Sequence, residues 1–407
     1  MSEDRLAATF DVAVVGGGLT GCAAAFHLSR GGASVLVVER GQINAGASGQ
    51  NAGSLHFQLE RRMVEHGEAQ GGLAARNLRL NRVAIDDWRG LEALLGADLE
   101  VVMAGGLMVA ETADEIALLE RKAAVETAHG LRIELLDGDG ARALAPYLSS
   151  SVIGAAFCPD EGHAGPRVVT AAFARAAELA GAQIVTETLV TAIERAGGGF
   201  ALALGGADGT PARPVRAKAI LLAAGAWTAG IGQLANLHLP LFPVGLTLSA
   251  TERRAPMVPH LVQHVGRRLS LKQTHAGNLL IGGGWPSRLA RRAGAPFGFD
   301  LEHAATVRPE TLAENLRTAA AIVPGVEALN LLRTWTGIAA ITIDHLPILG
   351  EVPQARGIHV AAGGSGFTLG PTLARLASER ILTGRTSEDI AHFSPARFGS
   401  LNGFMGL

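Results

Sequence analysis

Cysteine is nearly absent from this 407-residue chain, which has only Cys22 and Cys158. Two thiols cannot build a disulfide scaffold, a four-cysteine zinc site or an iron–sulfur cluster, and no metal centre is expected. Tyrosine occurs once, as Tyr147, and aromatic residues make up 4% of the sequence. Tyr147 falls in an expected loop, so an active-site tyrosine is not anticipated. Neither sign of charge dominates: 35 Lys and Arg stand against 37 Asp and Glu, a net charge of −2. Such a balance creates no general attraction for nucleic acid. Long hydrophobic runs are missing too. The run from Ala219 to Trp227 is far short of the ~20 residues that span a bilayer. The N-terminus carries acids before any apolar run and lacks the basic-then-apolar order of a signal peptide. A cytoplasmic protein without a transmembrane segment is the expectation.

Glycine, by contrast, is abundant, with 53 residues. No Gly-X-Y period accompanies it, so the excess points to tight turns and to backbone packed against a ligand. Hydrophobic residues at 48% can build a sizeable core, and the length suits two domains.

The glycines first matter near the N-terminus. Phe10–Val15 is a short apolar run suited to a buried parallel strand, followed by Gly16-Gly17-Gly18-Leu19-Thr20-Gly21. A small-residue helix comes next, then a strand over Val35–Val38 that ends in Glu39 and Arg40. Strand, glycine turn, helix, strand and acid form the full context of a dinucleotide fingerprint. Gly16 permits the tight turn, Gly18 lets backbone approach a pyrophosphate, and Gly21 lets helix pack on strand. The helix N-terminus, at Leu19 and Thr20, offers N–H groups and a partial positive charge to phosphate. Glu39 lies where a carboxylate accepts from a ribose hydroxyl.

Further along, residues 60–98 read as helix, Val101–Ala110 as strand, Ala113–Thr127 as a charged amphipathic helix and Pro166–Ala180 as helix. A glycine hairpin is expected at Gly197–Gly199 and a buried strand over Lys218–Ala224. Val244–Thr251, Leu269–Gln273 and Leu279–Gly282 look like antiparallel strands. A strand over Gly357–Ala362, a glycine loop over Gly363–Gly370 and a helix from Pro371 close the chain. Nucleotide-type pieces thus recur at the start, middle and end. The expected fold is α/β, a discontinuous Rossmann-like domain (1–85, 150–230 and 325–407) with an inserted α+β substrate domain on an antiparallel sheet (86–149 and 231–324).

At this point the chain resembles the FAD-dependent D-amino-acid oxidase superfamily, which includes glycine and sarcosine oxidases. The likeness is carried by the first βαβ unit, by Ala47-Ser48-Gly49-Gln50-Asn51-Ala52-Gly53, by Ala223-Ala224-Gly225-Ala226-Trp227 and by Gly363-Gly364-Ser365-Gly366-Phe367. Within it, GASGQNAGSLHFQLE, LSLKQ with LLIGGGWPSR, and TWTG with DHLPILGE look most similar to the β-type subunits of bacterial opine (octopine/nopaline) and hydroxyproline dehydrogenases. The resemblance implies noncovalent FAD and oxidation of an amino acid or secondary amine to an imine. It also implies partner subunits, which would carry any second flavin (FMN) or iron–sulfur cluster and could hold the complex peripherally at a membrane. A self-contained oxidase using oxygen, or a flavin electron-relay subunit, remain alternatives.

By the same resemblance, Ala47 and Ser48 lie near the pyrophosphate and Asn51, Ala52 and Gly53 run beside the isoalloxazine ring. Val190 meets adenine, and Ala224, Gly225 and Trp227 pass close to the nucleotide. Gly364, Gly366, Phe367 and Thr368 match the loop whose following helix aims its positive end at the flavin. Lys272 corresponds to a cation near flavin N5, or is an exposed lysine on a sheet edge. His56 either faces the ring or packs on the next helix. Arg288 either pairs with a substrate carboxylate through its planar fork or joins a solvated basic patch with Arg291 and Arg292. Trp335 belongs to a W-x-G element on the substrate side. Ala339 stands where glycine oxidase-like enzymes carry a carboxylate-binding arginine, so either another cation does that work or the substrate is presented differently, as for a bulky N-substituted opine. Asp344 reads as structural.

Overall fold

The computed structural model describes residues 8–61, 73–206, 214–291, 299–301 and 305–399. The chain divides into two compact units, one formed by residues 1–49, 167–243 and 339–407, the other by 50–166 and 244–338. Each is α/β in composition, with sheets of different kinds.

The first unit is built on a mostly parallel sheet. Its strand order is Ile348–Glu351, Ile358–Ala362, Pro214–Leu222, Thr9–Val15, Val35–Val38 and Gln183–Val185. Thr9–Val15 pairs in parallel with both neighbours, Val15 opposite Val38 on one side and Leu222 on the other. All four residues of Val35–Val38 are buried, which is why this strand is an unbroken apolar run instead of an alternating one. An antiparallel hairpin, Thr188–Ala196 with Gly199–Gly206, joins the sheet through Pro214–Leu222. Two helices, Leu19–Arg30 and Gly370–Thr383, pack on each other. Ala23, Ala24, Ala25, Ala374 and Ala377 are all buried there, and Ser378 Oγ reaches the Ala24 carbonyl at 3.2 Å. Small side chains permit that close approach.

The second unit carries an eight-stranded sheet, in the order Leu331–Thr342, Leu241–Arg253, Asn278–Gly282, Ser270–Gln273, Leu261–His264, Gly106–Ala110, Gly154–Cys158 and Glu134–Asp137. It is antiparallel through most of its width, with Leu261–His264 parallel to Gly106–Ala110. Alternate residues serve opposite faces. Leu107 and Val109 join one core with Ala319 and Ile322 of helix Pro309–Ile322. Met108 and Ala110 join a second with Leu119 of helix Ala113–Ala128.

The fold class is the expected one, while several boundaries differ. Residues 50–85, 150–166 and 325–338 lie in the second unit and 231–243 in the first. The cause for 50–85 is a short ladder: Ser54–Leu55 pairs with Gly162–His163, and Asn81 donates to the Phe57 carbonyl at 2.8 Å. The helix expected over 60–98 is observed from Leu73 to Leu95, and residues 62–72 lie outside the described ones. The strand expected from Val101 starts at Gly106, because Gly105 has φ +96° and breaks the extended run.

Candidate functional site

In the first unit the glycine turn sits at the carboxyl ends of the central strands. Gly16 has φ +116°, and a Cβ there would lie 2.6 Å from the Ala223 carbonyl oxygen and 2.8 Å from Ala224 Cα. Only glycine lets the turn rest on that segment, so the structure brings Ala224 and Gly225 beside it. Glu39 Oε2 accepts from the Gly17 N–H at 2.6 Å and Oε1 from the Gly41 N–H at 2.8 Å. Its own N–H bonds to Val185, and its carbonyl accepts from Thr188, two residues before the buried Val190. Ser48 Oγ accepts from the Leu19 N–H at 2.9 Å, placing its hydroxyl on the first turn of the helix. A Cβ on Gly21 would run into the Gly16 carbonyl.

The other side of this turn is bare. A Cβ on Gly18 would meet only Ser48, with Oγ at 3.0 Å, and Cβ atoms on Gly225 or Gly366 would meet nothing within 4 Å. Gly370, at the start of the C-terminal helix, lies against Leu19 and Thr20, so the N-terminal ends of two helices converge. Neither helix has an acid in its first turn, which leaves both positive ends uncompensated. Gly363 and Gly364 take φ +83° and +67°, and Leu369 N–H bonds back to Ser365 over Phe367 and the buried Thr368. The Arg40 guanidinium stacks over Trp227 at 4.8 Å. Trp227 Nε1 and Thr228 Oγ1 are buried polar atoms with no protein partner. These donors, the bare glycine backbone and the paired helix ends fit an anionic dinucleotide.

The second unit brings together another group. Lys272, on strand Ser270–Gln273, is 2% exposed. A Cβ on Gly53 would lie 3.2 Å from Lys272 Nζ and 2.8 Å from Pro166 Cδ, and it would strike the Ala164 carbonyl. Gly53 has φ +75° and donates its N–H to Asn51 Oδ1 at 2.6 Å, a tight turn that presents its bare face to the lysine. Burial pushes the Lys272 ammonium down to about 7, opposed by the charge of Glu100. His163, opposite Ser54 in the short ladder, is pushed down to about 3 by burial and then by the charges of Lys272 and His275. The lysine is therefore an interior group, in place of the exposed sheet-edge residue that was the alternative.

His56 Nε2 lies 3.3 Å from Ser270 Oγ, two residues before Lys272 and so on the same face of that strand. The Trp335 indole N–H donates to the Gln50 carbonyl at 2.7 Å, and Arg333 stacks on its ring. Trp335 thereby anchors the start of the segment that leads to Gly53. Arg288 is exposed, its backbone paired with Thr306, and its charge acts on Glu310. Arg291 stacks on Phe299, while Arg292 lies outside the described residues. Asp344 makes a two-point ion pair with Arg397, at 2.7 and 3.2 Å. His163 and Glu100 were not anticipated, and nothing in their local sequence marks them.

A parallel sheet with a glycine turn at the ends of its central strands is the architecture of dinucleotide-binding proteins. The chain belongs to the FAD dependent oxidoreductase family, which it matches over residues 11–380. It is 30% identical over 400 residues to a glycine oxidase of Geobacillus kaustophilus, covering 95% of this chain and 97% of that one. It is 25% identical over 392 residues to an opine oxidase subunit of Rhizobium meliloti, covering 95% and 97%. The crystal structure of glycine oxidase from Geobacillus kaustophilus superposes with a TM-score of 0.82 at 28% identity, over 96% of this chain and 99% of that one. The superfamily resemblance is thus borne out, and the protein is an FAD-dependent oxidoreductase. No helix among the described residues is long and apolar enough to cross a membrane, and no group of three or more metal-ligating side chains occurs among them.

Proposed function

We propose that this chain oxidises an amino acid or secondary amine at its carbon–nitrogen bond, giving an imine that water hydrolyses, as the catalytic subunit of a multi-subunit cytoplasmic dehydrogenase. Substrates of the opine or hydroxyproline type suit it best. The observation that carries this reading is the buried Lys272 set against the bare face of Gly53, in a family whose members use FAD. Bound FAD supplies the hydride acceptor. Gly16, Gly18, Gly21, Leu19, Thr20, Glu39, Arg40, Ala47, Ser48, Val190, Ala224, Gly225, Trp227, Gly364, Gly366, Phe367 and Thr368 would hold it, with Asn51, Ala52 and Gly53, as the resemblance implies. Lys272 Nζ takes up and returns a proton close to neutral pH, because burial disfavours its charged form. His56 and Trp335 orient the substrate side, and Arg288 is the candidate cation for an extended substrate's carboxylate.

Two features support the partner. By the family resemblance Ala339 stands where glycine oxidase-like enzymes carry an arginine, and two full-length relatives are named as subunits. Cys22 and Cys158 are both buried, and burial pushes the Cys22 thiol up to about 12. That burial supports FAD held without a covalent bond, and on this reading any iron–sulfur cluster or second flavin belongs to partner chains. The test is reoxidation of the substrate-reduced protein, alone and with the products of neighbouring genes. Slow recovery in air that partner subunits accelerate supports the dehydrogenase. Fast recovery with stoichiometric peroxide and no gain from partners identifies a self-contained oxidase.

A further inference from the structure

The second unit holds a buried, charged network that the proposed chemistry does not use. Glu161, fully buried, accepts at Oε1 from the N–H groups of Phe57 and Gln58, both at 2.8 Å, and at Oε2 from Gln58 Nε2 at 2.9 Å. Gln58 Oε1 accepts from Lys122 Nζ at 2.8 Å. Lys122 in turn pairs with Glu126 at 2.8 Å, and Glu126 Oε1 accepts from the Leu59 N–H at 2.6 Å. All four side chains are 4% exposed or less. Burial lifts the Glu126 carboxyl above the ordinary range, with Lys122 opposing and Glu161 adding to the effect.

Three consecutive backbone N–H groups, from 57 to 59, therefore end on two interior carboxylates. The strands on which they depend are short, since Ser54–Leu55 and Gly162–His163 share two residue pairs. A ladder of that length holds little by itself. Glu161 directly precedes one strand and grips the chain that follows the other, so its carboxylate clamps both. Gly106 makes room for it, as a Cβ there would strike Glu161 Oε2. At the far end of the same two strands, Ala164 N–H bonds to the Gly53 carbonyl, and Gly53 and His163 flank Lys272.

We propose that Glu161 is a positioning residue: locked to Gln58, Lys122 and Glu126, its carboxylate fixes the path of residues 53–59 and thereby the packing of Gly53, His56 and His163 around Lys272. Buried charge is a poor source of stability, but removing one partner is strongly destabilising because it leaves the others uncompensated. The charge of Glu100 acts on Lys272, and those of Lys272 and His275 act on His163, the residue two places after Glu161. The inference rests on the reading of Lys272 as a flavin-facing group.

The test follows the visible spectrum of bound flavin against pH. The parent protein should show a titration near pH 7 that Lys272→Met abolishes. If Lys272→Met leaves it in place, the flavin-facing reading of Lys272 fails, independently of Glu161. Glu161→Gln keeps the acceptor for Phe57 and Gln58 N–H but sets an amide donor against Gln58 Nε2. It should displace the midpoint by about half a pH unit or more. The double variant Gln58→Glu with Glu161→Gln restores donor to acceptor and keeps an oxygen acceptor for Lys122, now a carboxylate in place of an amide, at the loss of the 3.4 Å contact with Gly106. It should return the midpoint to the parent value, a rescue that general destabilisation would not give. A folded Glu161→Gln with the parent midpoint overturns the proposal. Should Glu161→Gln fail to fold, a folded double variant decides: parent midpoint supports it, displaced midpoint overturns it.

Discussion

Two glycines two residues apart should fail in opposite ways when each becomes alanine. Gly16→Ala forces φ +116° on a residue with a Cβ and drives that atom into Ala223 and Ala224 backbone at 2.6–2.8 Å. Left-handed strain costs about 1–2 kcal/mol and overpacking about 1–3 kcal/mol. The sum lowers the Tm of a unit this size by roughly 5–20 °C. Gly18 has φ −78° and ψ −178°, open to any residue, and its Cβ would meet only the Ser48 hydroxyl at 3.0 Å. Rotating that hydroxyl away from Leu19 costs about 0.5–1.5 kcal/mol, and the lost freedom of glycine in the unfolded chain returns about 0.4–1. Gly18→Ala should therefore fold with nearly parental Tm. Its methyl instead stands where backbone is bare toward the phosphates, and about 1–3 kcal/mol of crowding there weakens FAD about 5- to 150-fold. Gly18→Leu should purify colourless. The assay is FAD titration of apoprotein by fluorescence quenching, beside thermal unfolding of the same samples. A folded Gly18→Ala that binds FAD with the parental Kd would refute the placement of the cofactor, and a Gly16→Ala with parental Tm would refute the packing.

Other outcomes follow from the same structure. Lys272 keeps its proton to about pH 10.5 when unfolded but only to about 7 when folded, so between these values the unfolded chain binds more protons. Stability should rise across that window by about 1.4 kcal/mol per pH unit, and Lys272→Met should flatten the slope in urea titrations; an unchanged slope would mean the lysine is not the buried group. Asp344→Asn breaks the ion pair with Arg397, in which both partners are about 15% exposed, and should lower stability by about 1.5–3 kcal/mol while leaving substrate KM alone. A raised KM would assign Asp344 to the site. Heat denaturation should release all the flavin into the supernatant, and flavin that stays with the precipitate would contradict noncovalent binding.

The cradle was legible because its chemistry is local. A strand, three glycines, a helix and Glu39 sit within residues 9–39, and Gly16 shows its purpose by spacing alone. The approach of Ser48 to Leu19 and of Gly370 to Thr20 joins distant segments, and no local spacing shows either. The second unit was harder. Lys122 and Glu126 stand four apart on an amphipathic helix, a pattern that reads as a solvated face, yet both are buried. Their burial follows from Gln58 and Glu161, which are more than thirty residues away on either side. His163 carries no signal at all, since its surroundings come from Lys272 and Ser54 across the fold. Domain edges slipped for a related reason: the two-residue ladder that assigns 50–55 to the second unit is too short to leave a period in sequence.

The central claim is that a carbon–nitrogen bond delivers electrons to the FAD held by this chain. Anaerobic mixing of the FAD-loaded protein with a panel of opines, proline derivatives, N-methyl amino acids, glycine and D-amino acids tests it directly, read at the flavin absorbance band. At least one N-substituted amino acid should bleach the flavin completely, with one imine-derived carbonyl product per flavin. A fully loaded protein that no member of the panel bleaches, while dithionite does, would contradict it.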